Sequence, residues 1–300
     1  MRFIEAKGAR IPAIGLGTWE LRGRTCARLV EQALKLGYRH IDTAQIYENE
    51  RDVGDGLRAS GIRRDDVFVT TKVWTTHFAP NDLERSTRES LARLRLSEVD
   101  LLLLHWPNPH VPLAETLGAL AHVKKIGLSR HIGISNFTVA LIEQATALCP
   151  EPLACDQVEY HPYLDQTRLL DACAHHGMAL VAYSPIAKGR IRNDQTLSRI
   201  GRQDGGAGVP ALAGSAECLG NPADVEDRAA FGKHGHLRFR TVGCADAPDL
   251  PDEKPKGPAH RLRLRTEMGL KGLVSRFRSS SHREAILFAN FGIARTLAKF

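Results

Sequence analysis

The sequence predicts an α/β fold: a (β/α)8 TIM barrel, incomplete after its seventh strand and followed by an irregular C-terminal third. Three observations carry this reading. Seven short apolar runs alternate with helix-length segments through residues 1–200. The runs are apolar almost throughout, as parallel strands covered on both faces must be. Beyond about Gly201 the alternation stops, and a Gly-rich stretch at 205–208 opens a segment with no clean period of 2 or 3.6.

Taken in order, the strand-like runs are Ile11–Leu16, Tyr38–Asp42, Val67–Lys72, Val99–Leu104, His131–Ser135, Leu153–Val158 and Ala179–Tyr183. Helical patterns fall near Cys26–Leu36, Glu50–Ser60, Asn81–Leu94, Pro112–Lys125, Val139–Leu148 and Thr167–His175. So many strand-and-helix units in succession favour a closed barrel over an open sheet. Met1–Ala9, turning at Gly8, reads as a hairpin capping the barrel bottom. Asn81 with Glu84 three residues on suggests a capping box, and Gly37, Gly61 and Gly177 stand where helices need left-handed C-caps. This gives two regions: a barrel over residues 1–200 and an irregular region over 201–300.

Composition fits that assignment. Three hundred residues with 43% hydrophobic and 25% charged content describe a globular chain. No apolar run is long enough to span a bilayer, and no charged segment precedes an apolar one as in a signal peptide. The six cysteines form no CxxC pair and no zinc spacing, so no metal is expected and the thiols read as idle in a reducing, cytoplasmic setting. The net charge of +7 is uneven, with 25 Lys/Arg against 23 Asp/Glu in residues 1–200 and 16 against 11 thereafter. A basic tail can signal nucleic acid or a membrane surface, but neither is expected as a specific partner here.

Four reactive side chains cluster at predicted strand ends. Asp42 closes the second strand and Tyr47 follows it, Lys72 closes the third, and His105 follows the fourth. The C-terminal ends of barrel strands are where such folds keep their chemistry. Reducing a carbonyl leaves negative charge on oxygen, so a positioned acid must supply a proton. A phenol is a weak acid unless a nearby ammonium favours its ionised form, and a carboxylate keeps that ammonium charged. Tyr47 then reads as the proton donor, Lys72 as its activator, Asp42 as the partner of Lys72, and His105 as a substrate-orienting donor. Singly, each has a plainer reading as a turn, a cap, a packed ring or a solvated charge. Their joint occurrence at consecutive strand ends is what favours catalysis.

Seven ordered segments of residues 1–200 also resemble the aldo-keto reductase family, particularly its prokaryotic branch that includes 2,5-diketogluconate reductases. They are Gly15-Leu16-Gly17-Thr18-Trp19, Gly37 to Ala44, Thr71-Lys72-Val73-Trp74, Leu104-His105-Trp106-Pro107, Ile132 to Phe137, Gln157 to Pro162 and Ala182-Tyr183-Ser184-Pro185. The resemblance implies a monomeric, NADPH-dependent reductase of small aldehydes and ketones, with Asp42, Tyr47, Lys72 and His105 as its tetrad. It implies that Ser135, Asn136 and Gln157 hold the nicotinamide carboxamide and that Tyr183 stacks on its ring. Gly17, Thr18, Trp19 and Asp42 would border the nicotinamide, with Ser184, Pro185 and Ile186 near the pyrophosphate. Trp19, Trp74 and Trp106 would wall the substrate pocket beside Tyr47 and His105. Gly15-Leu16-Gly17 leads into Trp19 without the third glycine of a dinucleotide-binding GxGxxG turn, which agrees with a cofactor lying across a barrel mouth.

The resemblance stops after Gly201. The family continues with an eighth strand and an Ile-Pro-Arg-Thr-like segment that grips the adenosine 2′-phosphate, and neither is present in this frame. Residues Gly208–Gly235, written in suitable codons and read from each codon's second base, give VCLRWLVQQNVLAIPRTSKIERLSENMA. A one-base frameshift near Gln203 is the expectation that follows. With it come two open barrel edges at the first and seventh strands, weakened cofactor binding, and an alternative reading of the chain as a catalytically dead remnant with a non-specific basic tail.

Overall fold

The computed structural model describes residues 2–185, 187 and 190, together with the backbone of 285–290. Strands β1 (Phe3–Ala6) and β2 (Ala9–Pro12) form an antiparallel hairpin, with Lys7 and Gly8 both at positive φ in the turn. The remaining strands are β3 (Ile14–Gly17), β4 (His40–Asp42), β5 (Phe68–Val73), β6 (Val99–Leu104), β7 (Ser129–Ser135), β8 (Leu153–Glu159), β9 (Ala179–Tyr183) and β10 (Ala285–Asn290). All pair in parallel and close in the order β10-β3-β4-β5-β6-β7-β8-β9.

The first seven of these eight parallel strands and their helices match the sequence reading closely. Helices α1 (Gly23–Lys35), α2 (Glu50–Ala59), α3 (Pro80–Leu94), α4 (Leu113–Lys125), α5 (Val139–Leu148) and α6 (Thr167–His175) cross over between successive strands. Three details differ. The run Ile11–Leu16 is two strands, because Pro12 ends the hairpin before Ile14 starts the barrel. Helix α3 begins at Pro80 with Ala79 as its N-cap, so Asn81 caps nothing; proline's fixed φ and missing N–H suit the first helical position. The expected open edges are absent, because the backbone of β10 pairs with β3 on one side and β9 on the other. The rest of the irregular C-terminal third, including the segment read as frameshifted, lies outside the described residues.

Side chains on the strands alternate between two layers, as the period of 2 requires. Ile41, Val69, Val73, Leu102, Leu104, Ile132, Ile134 and Val158 face outward into a core shared with the helices. Leu101, Leu103, Ala154, Cys155, Ala179 and Val181 face inward and pack on Ile4, Ala6, Ala9 and Ile11 of the hairpin, which plugs the barrel's N-terminal end as predicted. At Gly133 of β7 an added Cβ would sit 2.8 Å from the Leu103 side chain and 2.9 Å from the Cys155 carbonyl oxygen. Glycine is therefore a packing requirement there. The barrel's lower interior is mostly apolar, with the buried His40 ring placed between the Pro12 carbonyl and Thr70 Oγ1, and its C-terminal mouth holds the remaining polar groups.

Candidate active site

The alternation that buries Ile41 and Val69 outward turns Asp42 of β4 and Lys72 of β5 inward, on adjacent strands where Asp42 pairs in register with Thr70. Lys72 is 1% exposed and Asp42 4% exposed. The Lys72 ammonium donates to Asp42 Oδ1 at 2.5 Å, to the Thr43 carbonyl at 2.9 Å and to Tyr47 Oη at 3.3 Å. Gln157 of β8 donates from Nε2 to Asp42 Oδ2 at 2.9 Å, so both carboxylate oxygens are bound from opposite sides of the barrel. A charge pair this buried contributes little net stability, because desolvation offsets the attraction. Its value is in the charge it delivers to Tyr47.

Tyr47 ends a short 3-10 turn, Gln45–Tyr47, between β4 and α2. Its ring meets His105 edge-on at 5.7 Å, and His105 in turn meets Trp74 edge-on at 5.2 Å. The four predicted catalytic side chains are thus brought to one place.

Their electrostatics follow from burial against the one ammonium. Burial pushes the Tyr47 phenol above its ordinary value of 10.0; Lys72 opposes that push without reversing it. The prediction that Lys72 lowers Tyr47 is right about the interaction and wrong about the net direction, because desolvation is the larger effect. The phenol is consequently fully protonated at neutral pH, as a proton donor has to be. Burial also pulls the Lys72 ammonium down, but Asp42 and Tyr47 more than offset it and hold the group up. Burial pushes the Asp42 carboxyl up, while Lys72 and Gln157 hold it back. His105 is driven down to about 3 by burial and by the charge on Lys72, so it is a neutral imidazole. Its Nδ1 is buried with no hydrogen-bond partner among the described residues.

The residues predicted to hold a nicotinamide lie around the same mouth. Ser135 ends β7 and donates from Oγ to the Gln157 carbonyl at 2.7 Å. Asn136 follows at positive φ, its Nδ2 donating to the His105 carbonyl and to Ser135 Oγ at 3.0 Å each, and its Oδ1 accepting from Tyr183 Oη at 2.9 Å. Thr18 follows Gly17 and donates from both N and Oγ1 to the Asp42 carbonyl at 3.0 Å. Ser184, also at positive φ, and Pro185 are buried just past β9. Ile186 lies outside the described residues. A hydroxyl, two carboxamides and a half-buried phenol ring at one rim are the donor and stacking set that an aromatic carboxamide needs, so these residues fit a nicotinamide. Trp19 and Trp106 lie exposed in the loops after β3 and β6, 37% and 45% accessible, and Trp74 is half-buried against His105.

A supporting shell was not foreseen from sequence. Asn49, fully buried, accepts from Thr43 Oγ1 at 2.7 Å and donates to the carbonyls of Thr18 and Leu21 at 2.7 and 2.8 Å. It thereby ties the loop bearing Trp19 to Thr43, the residue whose carbonyl Lys72 grips. Glu50, 1% exposed, accepts from Thr71 Oγ1 at 2.6 Å and pairs with Arg93 at 2.7 Å. The signal that could have found them is two polar residues, Asn49 and Glu50, at the start of a helix pressed on the sheet. Among the described residues no cluster of His, Cys, Asp or Glu could hold a metal ion, and no helix is long and apolar enough to cross a membrane.

The family model for the aldo/keto reductases matches residues 13–209. This chain belongs to the aldo/keto reductase family. It is 41% identical over 243 residues to a methylglyoxal reductase, DkgB, of Yersinia pestis, covering 80% of this chain and 91% of the relative. Among solved structures, one assigned as a 2,5-diketo-D-gluconic acid reductase B is 49% identical with a TM-score of 0.67, covering 68% of this chain and 73% of that one. A Bombyx mori aldo-keto reductase in complex with NADP is 31% identical with a TM-score of 0.63, covering 67% of this chain and 75% of that one. The tetrad geometry and the family agree on an NAD(P)H-dependent oxidoreductase acting on carbonyls.

Proposed function

We propose that the chain reduces small aldehydes and ketones with NADPH, residues 1–200 carrying the catalytic barrel and Tyr47 donating the proton. The observation that carries this reading is the Lys72 ammonium held between Asp42 and Tyr47, 3.3 Å from the phenol oxygen. NADPH, when bound, supplies the hydride that reaches the carbonyl carbon. As negative charge develops on the carbonyl oxygen, the proton on Tyr47 Oη passes to it, leaving a phenolate that the adjacent ammonium stabilises. Asp42, bound by Gln157, keeps that ammonium charged and aimed. Neutral His105 and the Trp19, Trp74 and Trp106 side chains orient and enclose the substrate. Ser135, Asn136, Gln157 and Tyr183 hold and stack the nicotinamide, with Gly17, Thr18 and Trp19 at its border and Ser184, Pro185 and Ile186 toward the pyrophosphate. A single chain in the cytoplasm is part of the proposal, supported by the described site residues sharing one barrel and by the free thiols of Cys26, Cys149, Cys155 and Cys173.

The relative named for methylglyoxal reduction supports a 2-oxoaldehyde as a first substrate to try. The end of the family match at residue 209 supports the proposal that the chain beyond about Gln203 is read out of frame, whereas the match to DkgB over 80% of this chain runs past that point and counts against it. The end at residue 209 also supports the second reading, of a remnant without activity. One assay separates the two: oxidation of NADPH, and of NADH in parallel, with methylglyoxal and a panel of aromatic and aliphatic aldehydes. Steady oxidation with alcohol formed in equal amount is the expected result. A folded protein that oxidises neither cofactor with any carbonyl overturns the reductase reading, and gene sequencing across codon 203 decides the frame.

A further inference from the structure

The proton transfer depends on a separation that its own contact does not secure. At 3.3 Å the Lys72–Tyr47 hydrogen bond is at the long end for N–H···O, so it cannot by itself hold the two residues together. Lys72 sits on β5, fixed within the barrel and bound by Asp42 and the Thr43 carbonyl. Tyr47 ends a turn of three residues in which the Ile46 side chain faces solvent, and the Glu48 carboxylate just past it reaches only the exposed Arg22 guanidinium, at 2.8 Å. Something else must keep the turn against the strand.

The Gln45 side chain does so. Its Oε1 accepts from the backbone N–H of Trp74 at 2.8 Å, and its Nε2 donates to the Ser86 carbonyl at 3.1 Å and to Ser90 Oγ at 3.0 Å on α3. Gln45 lies two residues before Tyr47, and Trp74 two residues after Lys72, so this one amide bridges the outer flanks of both reactive positions. Ser90 Oγ also accepts from Arg93, which is paired with buried Glu50. The anchor is therefore itself anchored. Only a carboxamide fits: the site needs an acceptor toward an N–H and donors toward a carbonyl and a hydroxyl.

We propose that Gln45 is a positioning residue that sets the separation of Tyr47 Oη from Lys72 Nζ. The proposal rests on the assignment of Tyr47 as proton donor, and it extends the machinery to a side chain that touches neither substrate nor reacting atoms. Losing the bridge lets the turn move away from β5, and the phenolate then loses part of its stabilisation by the ammonium.

The test uses the whole chain labelled with 3-fluorotyrosine, whose electron-poor phenol titrates lower than tyrosine's and within reach of folded protein. The Tyr47 fluorine resonance is identified by its loss in Tyr47→Phe. In Gln45→Met, which keeps the length and removes every hydrogen bond, the Tyr47 titration is expected to move by about half a pH unit or more, upward where the lost contact with Lys72 dominates and downward where regained water does. Carbonyl reduction is expected to fall about tenfold in kcat, its alkaline limb moving in the same direction as the titration, with NADPH affinity within about twofold of wild type. A purely structural role predicts lower thermal stability with the titration unmoved, and that result overturns the proposal. Should Gln45→Met fail to fold, Ser90→Ala removes one of the two acceptors of the amide. It is then expected to move the titration in the same direction by less, and an unmoved titration there is equally decisive against. If the wild type reduces no carbonyl, the proposed function fails, while the fluorine titration still judges Gln45 by itself.

Discussion

Asp156→Asn is expected to make the protein more stable at neutral pH and to remove a pH dependence from its unfolding. Asp156 lies on β8 beside Gln157 and is fully buried on the outer side of the strand. Its Oδ1 accepts from the Phe137 N–H at 3.4 Å, in the turn that follows Ser135 and Asn136, and its Oδ2 has no partner among the described residues. Burial drives this carboxyl from 3.8 up to about 8, with the Phe137 N–H pulling weakly the other way. The titratable groups facing it, Cys155 on its own strand and Cys173 on α6, are thiols raised by burial and stay neutral over the same range. The native state thus keeps a proton on Asp156 that the unfolded chain releases above about pH 4. Stability must then fall as pH rises from about 4 to about 8, and level off above. At pH 7 the gap is about three pH units, or on the order of 4 kcal/mol. Asparagine copies the shape of the protonated acid, and its amide sits where the acid's second oxygen was already unpartnered, so it adds little cost of its own. Urea unfolding of both proteins at half-unit steps between pH 4.5 and 8.5 reads the difference directly. The expected stability difference widens steadily in favour of Asp156→Asn up to about pH 8. A difference that stays flat, or that narrows with rising pH, refutes the reasoning.

Two further outcomes follow from the same structure. Gly133→Ala is expected to destabilise the fold by about 1–3 kcal/mol, because the new Cβ would press on the Leu103 side chain and the Cys155 carbonyl; chemical denaturation midpoints check this. With His105 near 3, the rate of carbonyl reduction should show no ionisation step around pH 6.5, and a step there that vanishes in His105→Gln would contradict a neutral imidazole.

Much of the barrel was legible because each strand is a compact apolar run and three of the helices, α1, α2 and α6, carry a glycine stop signal. Gly37, Gly61 and Gly177 all take the left-handed conformation expected after their helices. The tetrad was legible because strand ends point to one mouth, so residues 42, 72 and 105 converge however far apart they lie in sequence. Strand β10 was not, since Ala285–Asn290 is a short apolar run in a segment with no neighbouring helical period to frame it. The net direction of the Tyr47 shift was not legible either. A sequence shows that an ammonium is near but not how much water has been removed, and here water removal wins. Gln45, Asn49 and Glu50 escaped for a related reason, as each acts through partners 21 to 45 residues away, or across a single tight turn, that only the closed fold brings within hydrogen-bonding distance.

The most direct measurement of the central claim is a single-turnover reduction by Tyr47→Phe, mixed with a saturating aldehyde after NADPH has been bound and its affinity confirmed. Removing only the phenol oxygen should leave cofactor binding within about twofold and lower the rate of hydride transfer by about 10²-fold or more, the share expected of a positioned general acid. Transfer at the wild-type rate in Tyr47→Phe would contradict the assignment, whatever the arrangement of Lys72 and Asp42 beside it.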